Sequence, residues 1–245
     1  MSNLENANSS LPVSPQPLRT WDFVETAFVC LIAYGVYTLT SELALAVVLG
    51  MHDGTKTLSP AQIQAHGAAY IIASQLTVAV IWGAIRMARR DFAEYLALNW
   101  PSSRELFRVL AITAIPLLAE SVAGYVGGVE EISSDPYVKA MQANGFFVFL
   151  VGGCIAVPIM EEFVLRGFMF RGWSQSFLRP RGAIVLTSVL WAMMHTQYDW
   201  FGQSVIFVTG LVLGHIRWRS NSTWLTVMAH SAINIFIFLA MGLGF

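Results

Sequence analysis

The chain has 245 residues, of which 56% are hydrophobic and 12% charged, with a mean hydropathy of +0.59 and a formal net charge of −1 at pH 7. That composition excludes an ordinary soluble domain and predicts an all-α, polytopic bundle of transmembrane helices. No basic patch or stripe supplies the phosphate-neutralising charge that a nucleic-acid partner needs, so that class is excluded too.

Residues 1–20 are rich in Ser, Asn and Pro, with Pro12, Pro15 and Pro17 closely spaced, and read as a disordered cytoplasmic tail. The first apolar stretch, 21–49, follows no basic run and is too long for a cleavable signal, which makes it a retained span. Further spans are expected at 66–88, 105–127, 144–170, 183–198, 201–217 and 222–244, seven in all, each near the length that crosses about 30 Å of hydrocarbon. Residues 21–140 are expected to form an N-terminal group of transmembrane helices and 141–245 a C-terminal helical core. Cys30 and Cys154 both fall in apolar runs and read as small buried hydrophobes. Gly127-Gly128 ends the third span, Gly210 and Gly214 form a small-xxx-small pair suited to close packing on the sixth, and Asn221, Ser222 or Thr223 can cap the seventh.

Arginine placement predicts the topology. Arg19, the group Arg86, Arg89, Arg90, Arg104 and Arg108, then Arg171, Arg179 and Arg181, and finally Arg217 and Arg219 all fall in alternate loops on one side. The opposite loops carry Lys56 and Lys139 with Asp53, Glu130, Glu131, Asp135 and Asp199. The bias predicts a cytoplasmic N-terminus, an external C-terminus and an odd number of spans.

Three polar constellations interrupt the C-terminal spans at helical spacing. Glu162 and Arg166 stand at i and i+4 with the acid first, the favourable order for an ion pair, while Glu161 lies about 100° round the helix and is free to face something else. Pro158, just upstream, is expected to loosen or kink that helix. Trp191 and His195 form a second i, i+4 pair, and His230 and Asn234 a third. Taken singly, each has a bland explanation: a structural ion pair, a histidine satisfied by packing, a polar pair that glues helices. Depth argues for a shared site. At the helical rise, Glu161 lies about 15 Å from Arg171, His195 about 21 Å from Arg181, and His230 and Asn234 about 17 and 23 Å from Arg219, all near mid-membrane.

Glu-Glu-x-x-x-Arg, then an aromatic-x-x-x-His, then His-x-x-x-Asn, on successive helices over residues 144–240, resembles the CPBP family of intramembrane proteases. That family includes the type II CAAX prenyl endopeptidases and the bacterial bacteriocin-processing and immunity (Abi) proteins. Trp191 stands where the family usually has Phe. The resemblance implies hydrolysis of a peptide bond within the membrane, with Glu161 and His195 activating a water and Glu161 as general base. It further implies that His230 and Asn234 hydrogen-bond the oxyanion and that Glu162 and Arg166 brace the site. Desolvated carboxylates are stronger bases, and preorganised donors in a dry site stabilise an oxyanion by a few kcal/mol, which suits those roles.

The family has been called metalloprotease, and Glu161, His195 and His230 are the candidate zinc ligands; a metal-free, Glu-activated water is the favoured reading, because no His-Glu-x-x-His signature is present. No Gly-x-Ser-x-Gly elbow supports serine chemistry. Glu42 and Glu120 are expected to be structural, His215 interfacial, and His52 and His66 solvated. The expected partners are the lipid bilayer and a membrane-associated, prenylated or leader peptide, and the expected location is a bacterial plasma membrane. The rival reading is a transporter or scaffold with a buried Glu/His relay, although neither inverted repeats nor paired interrupted helices are visible.

Overall fold

A computed structural model describes residues 20–50, 60–127 and 146–242, and among them the regular structure is entirely helical. The tail to residue 19 and the loop residues His52, Asp53, Lys56, Glu130, Glu131, Asp135 and Lys139 lie outside the described residues, as do the side chains of His66 and Glu120. The helices are α1 (Phe23–Gly50), α2 (Pro60–Met87), a short α3 (Phe92–Leu96) and α4 (Ser103–Gly127). They are followed by α5, a continuous rod over residues 146–174, then α6 (Arg179–Met194), α7 (Trp200–Ser220) and α8 (Thr223–Gly242). Among the described residues, a long helix stands at each of the apolar stretches read from the sequence, and the five-residue α3 was not anticipated. Phe23–Ala44 and Gly67–Met87 are long and apolar enough to cross a bilayer, and α1 turns Val24, Phe28 and Leu31 outward. The chain is a membrane protein.

Local chemistry fixes the helix starts. Ser102 and Glu105 bond reciprocally across the first turn of α4, with Ser102 N–H donating to Glu105 Oε2 at 2.8 Å. Asp199 accepts from the Gly202 N–H at 2.8 Å to start α7. Of the three residues expected to cap the last span, Ser222 does so, accepting from the Leu225 N–H at 3.1 Å, while Asn221 takes the left-handed conformation that ends α7.

The helices alternate in direction and collect the arginine-bearing loops at one end. There, the Thr223 N–H donates to the Ala97 carbonyl, the Asn99 amide donates to the Asn221 carbonyl, and Trp173 donates to Phe23, so the start of α1, α3, the end of α5 and the α7–α8 junction are stitched together. α1 packs along α2, α2 and α8 flank α5, and α6 lies along α7. The expected small-residue seam is real. A Cβ at Gly210 would stand 2.9 Å from Ser188 Cβ, and one at Gly214 would stand 2.8 Å from Ile184 Cγ2, so α6 and α7 touch only because neither position carries a side chain.

α5 departs from a plain helix. Gly152–Ala156 and Phe163–Met169 are π-helical, separated by the α-helical turn Val157–Glu162 that carries both glutamates. In the first π segment the Val157 N–H bonds the Gly152 carbonyl five residues back. Continuing that pattern, the Gly153 carbonyl would need a donor at position 158, where Pro158 has none. Pro158 therefore acts on the helix ahead of the glutamates, as its position predicted, by leaving one carbonyl for a neighbour to satisfy.

Candidate active site

The second π segment shares its first residues with the charged motif. Arg166 Nη1 donates to Glu162 Oε1 at 3.0 Å, the i, i+4 pair read from the sequence, and Arg166 Nη2 reaches the Gly210 carbonyl on α7 at 3.4 Å. Both side chains are buried at the bundle's centre, Glu162 at 0% and Arg166 at 1% exposure. At that depth an unpaired charge costs several kcal/mol, so the pair must be complete. The Arg166 guanidinium also lies 4.6 Å from the centroid of the Trp191 ring, which α6 supplies.

Glu161, one step round the helix, faces a different set of groups. Its Oε2 accepts the Trp191 indole N–H at 2.9 Å and stands 3.8 Å from His230 Nε2. His230, on α8, spans both glutamates, since its Nδ1 lies 3.1 Å from Glu162 Oε1. A carboxylate oxygen only accepts, so Nδ1 carries the proton in that bond and Nε2 is the nitrogen turned towards Glu161.

Trp191 is the hub of the cluster. Its ring meets His230 edge-on at 5.1 Å and His195 edge-on at 5.4 Å, in addition to its contacts with Arg166 and Glu161. Its importance was only half visible in the sequence, where Trp191 stands in place of the Phe usual in the family it resembles. A buried indole also brings an N–H that must find an acceptor, and that is the signal pointing to Glu161.

Two expected residues sit differently from their reading. The span expected at 183–198 is the helix Arg179–Met194, displaced by about one turn, and His195 is its C-terminal cap with φ −94° and ψ 55° rather than a mid-helix residue. Sixteen residues span about 24 Å, which puts His195 at the far end of α6 from the arginines, at the rim of the Trp191 cluster instead of its centre. The i, i+4 relation to Trp191 survives through the backbone: His195 Nδ1 lies 2.8 Å from the Trp191 carbonyl, which fixes the proton on Nδ1 and leaves Nε2 as the basic nitrogen. The second is Asn234, whose Nδ2 donates at 2.9 Å to the Gly153 carbonyl that Pro158 leaves unbonded. One of its two amide protons is thus committed to holding α5 against α8.

Among the other expectations, Cys30 and Cys154 are buried free thiols, as their apolar surroundings implied, and His215 is exposed beside Trp218. Glu42 is exposed on α1 and lines no part of this cluster. Among the described residues no three His, Cys, Asp or Glu side chains converge on one point. Glu161, His195 and His230, the candidate zinc ligands, are thus not gathered into one such group among the described residues.

Residues 143–236, which hold all of these side chains, match the family described as Type II CAAX prenyl endopeptidase Rce1-like. UPF0177 protein YxdF of Lactococcus lactis subsp. lactis (strain IL1403) is 26% identical over 82 residues, 34% of this chain and 44% of that protein. The chain therefore spans less than half the length of the curated relative it matches. No solved structure matches it.

Proposed function

We propose, from the match of residues 143–236 to the Rce1-like type II CAAX prenyl endopeptidase family, that the chain is an integral membrane endopeptidase in which Glu161 activates a water. The observation that carries this reading is the approach of Glu161 Oε2 to His230 Nε2 at 3.8 Å. That separation is too long for a direct hydrogen bond and right for two groups that share one water.

Glu161 takes a proton from that water as its oxygen attacks the peptide carbonyl. The carbonyl oxygen becomes an oxyanion; when it collapses, the C–N bond breaks and Glu161 returns the proton to the leaving nitrogen, giving a carboxylate and an amine. The neighbouring groups divide the remaining work. His195 presents Nε2 at the rim, where it assists the water or holds the substrate, and His230, held by its bond to Glu162, turns Nε2 towards the water and the oxyanion. The second amide proton of Asn234 remains as a donor to the oxyanion, and the Trp191 N–H on Glu161 Oε2 fixes the orientation of the carboxylate, whose oxygen keeps a second lone pair for the water. Arg166 and Glu162 keep the cluster charge-balanced around His230. Every step uses side chains of this chain alone.

The substrate class that fits is a peptide delivered from the membrane, prenylated or carrying a hydrophobic leader. The arginine-rich end faces the cytoplasm by the charge bias, with the N-terminus on that side, seven crossings, and a bacterial plasma membrane as the setting. The test is cleavage of a farnesylated CAAX peptide and of a hydrophobic leader peptide by the purified protein, its Glu161→Gln variant, and its His195→Ala and His230→Ala variants, each with and without a chelator. Loss of cleavage in Glu161→Gln with chelator-insensitive wild type is the expected result. Equal activity of wild type and Glu161→Gln overturns the assignment of the base, and chelator-sensitive cleavage overturns the metal-free mechanism.

A further inference from the structure

Helix α3 is only five residues long, yet its end is bonded to a segment 127 residues further along the chain. A helix leaves its last carbonyls without partners inside itself. Left-handed Ala97 ends α3, and the open carbonyls of Leu96 and Ala97 accept from the Thr223 hydroxyl and from the Thr223 N–H, the latter at 2.9 Å. That N–H is in turn one of the donors left over at the start of α8, so each helix end satisfies the other. Two more bonds flank these: the Asn99 amide donates to the Asn221 carbonyl at 2.7 Å, and the Ser222 hydroxyl donates to the Asn99 carbonyl. Leu96 and Thr223 are both at 0% exposure, so water does not replace a bond lost between them.

The side chains of α3 are fastened to α5. A Cβ at Gly167 would stand 2.9 Å from Leu96 Cδ2, so Leu96 comes this close to α5 only because position 167 carries no side chain. The Phe92 ring meets Phe163 edge-on at 5.9 Å, and the Tyr95 ring lies 5.6 Å from that of Phe168. Phe163 also meets Trp224, the neighbour of Thr223, edge-on at 5.4 Å. α3 thus grips α5 within its second π segment and α8 at its first residue, and holds the two at one level.

That level lies close to the candidate site. Phe163 directly follows Glu162, and His230 stands seven residues beyond Thr223, about 10 Å along α8 and on the same face. A close-packed interior has no slack with which to absorb a displacement over that distance. The separations at stake are small: Glu162 Oε1 and His230 Nδ1 are 3.1 Å apart, a hydrogen bond, and Glu161 Oε2 and His230 Nε2 are 3.8 Å apart, the span of one shared water. A shift of about 1 Å in α8 would break the first and misplace the second.

We propose that Thr223 is a positioning residue of the candidate site: by bonding the end of α3 to the first turn of α8, it sets the height at which His230 meets Glu161 and Glu162. The kinetic consequence rests on the peptidase reading of Glu161 and His230; the placement of the imidazole does not.

The experiment uses the purified full chain and its Thr223→Val, Thr223→Ser and Thr113→Val variants, with two readouts. One is kcat and KM on the farnesylated CAAX peptide or the hydrophobic leader peptide, whichever wild type cleaves. The other is nitrogen NMR of labelled histidine, in which the His230 resonances are identified by their loss in His230→Ala. Thr223→Val keeps the shape of the side chain and removes the hydroxyl. It is expected to shift the His230 resonances and to lower kcat about tenfold with KM unchanged, within the range that a displacement of about 1 Å produces. Thr223→Ser keeps the hydroxyl and should restore both. Thr113→Val removes a similarly buried hydroxyl, one that bonds the Val109 carbonyl of its own helix, and should leave both unchanged. Asn99→Ala, at the exposed edge of the same clamp, should act in the same sense with about a threefold loss of kcat, and it decides the matter should Thr223→Val fail to fold. Unshifted His230 resonances in Thr223→Val overturn the proposal, as do an unchanged kcat in an active protein, an equal effect of Thr113→Val, or no rescue by Thr223→Ser. Should wild type cleave neither peptide, or Glu161→Gln cleave as fast as wild type, the peptidase reading falls and the His230 resonances alone decide the role of Thr223.

Discussion

Arg166 and Arg217 are almost equally buried, at 1% and 2% exposure, yet they live in opposite electrostatic settings. Arg166 meets Glu162 at 3.0 Å, the Gly210 carbonyl and the Trp191 ring, and His230 bridges Glu162 to Glu161, so positive and negative groups alternate through the cluster. Arg217 meets an asparagine and a phenylalanine, and Arg171 acts on it by repulsion. Depth accounts for the difference. In the middle of the bundle neither water nor headgroup is available, and charge must be balanced by the chain itself. At the end of the bundle, water and headgroups are within reach, and a guanidinium there is not held to the same balance.

That contrast can be broken most severely at the glutamates. Glu161→Gln is expected to lower kcat/KM by about 10²-fold or more, the scale of a lost general base, while the melting temperature barely moves, because the amide oxygen still accepts from Trp191. Comparable losses of both would reduce Glu161 to a structural acid. Arg166→Leu takes the guanidinium from buried Glu162, leaving it the His230 N–H, and should destabilise the protein by about 3–5 kcal/mol in a denaturation series. Pairing it with Glu162→Gln should recover part of that loss, and a double variant no better than the single one would deny that charge balance governs the centre. Gly214→Val forces a side chain into the 2.8 Å approach to Ile184 and is expected to cost about 1–3 kcal/mol by separating α6 from α7, measured by the same melts. The mildest change is Trp191→Phe. It keeps the ring and removes the N–H on Glu161, so a drop of about fivefold in kcat/KM is expected with little change in stability, in line with about 1 kcal/mol for one neutral donor. An unaltered rate would remove Trp191 from the positioning of Glu161.

Much of this was legible before any coordinates. The i, i+4 spacing of Glu162 and Arg166 gave their ion pair, and the phase of Glu161 freed it for other partners. The Gly210/Gly214 stripe gave the α6–α7 seam, and the arginine loops gave one charged end. What escaped the sequence involved backbone hydrogen bonds between distant segments. Nothing local says that Pro158 leaves the Gly153 carbonyl without a donor, or that Asn234, 81 residues later, supplies one. His195 was read as a mid-helix residue because the span was drawn on to residue 198, whereas the helix stops at Met194 and reverses through a turn before Asp199 caps α7. The short α3 is built on an Asp91 cap and ends in left-handed Ala97, and both features are too local to register in a search for long apolar runs.

The sequence by itself determined the class, the helix order and which residues carry charge into the bundle, since hydropathy and helical period are properties of neighbours along the chain. Tertiary structure alone decided the partners: His230 spanning two glutamates, Trp191 donating to Glu161, and three arginines from separate elements sharing Glu94 or repelling one another. The reason is physical. Which donor satisfies a given acceptor in a water-poor interior depends on the distance between helices, and that distance is set by glycine seams, π turns and caps acting together.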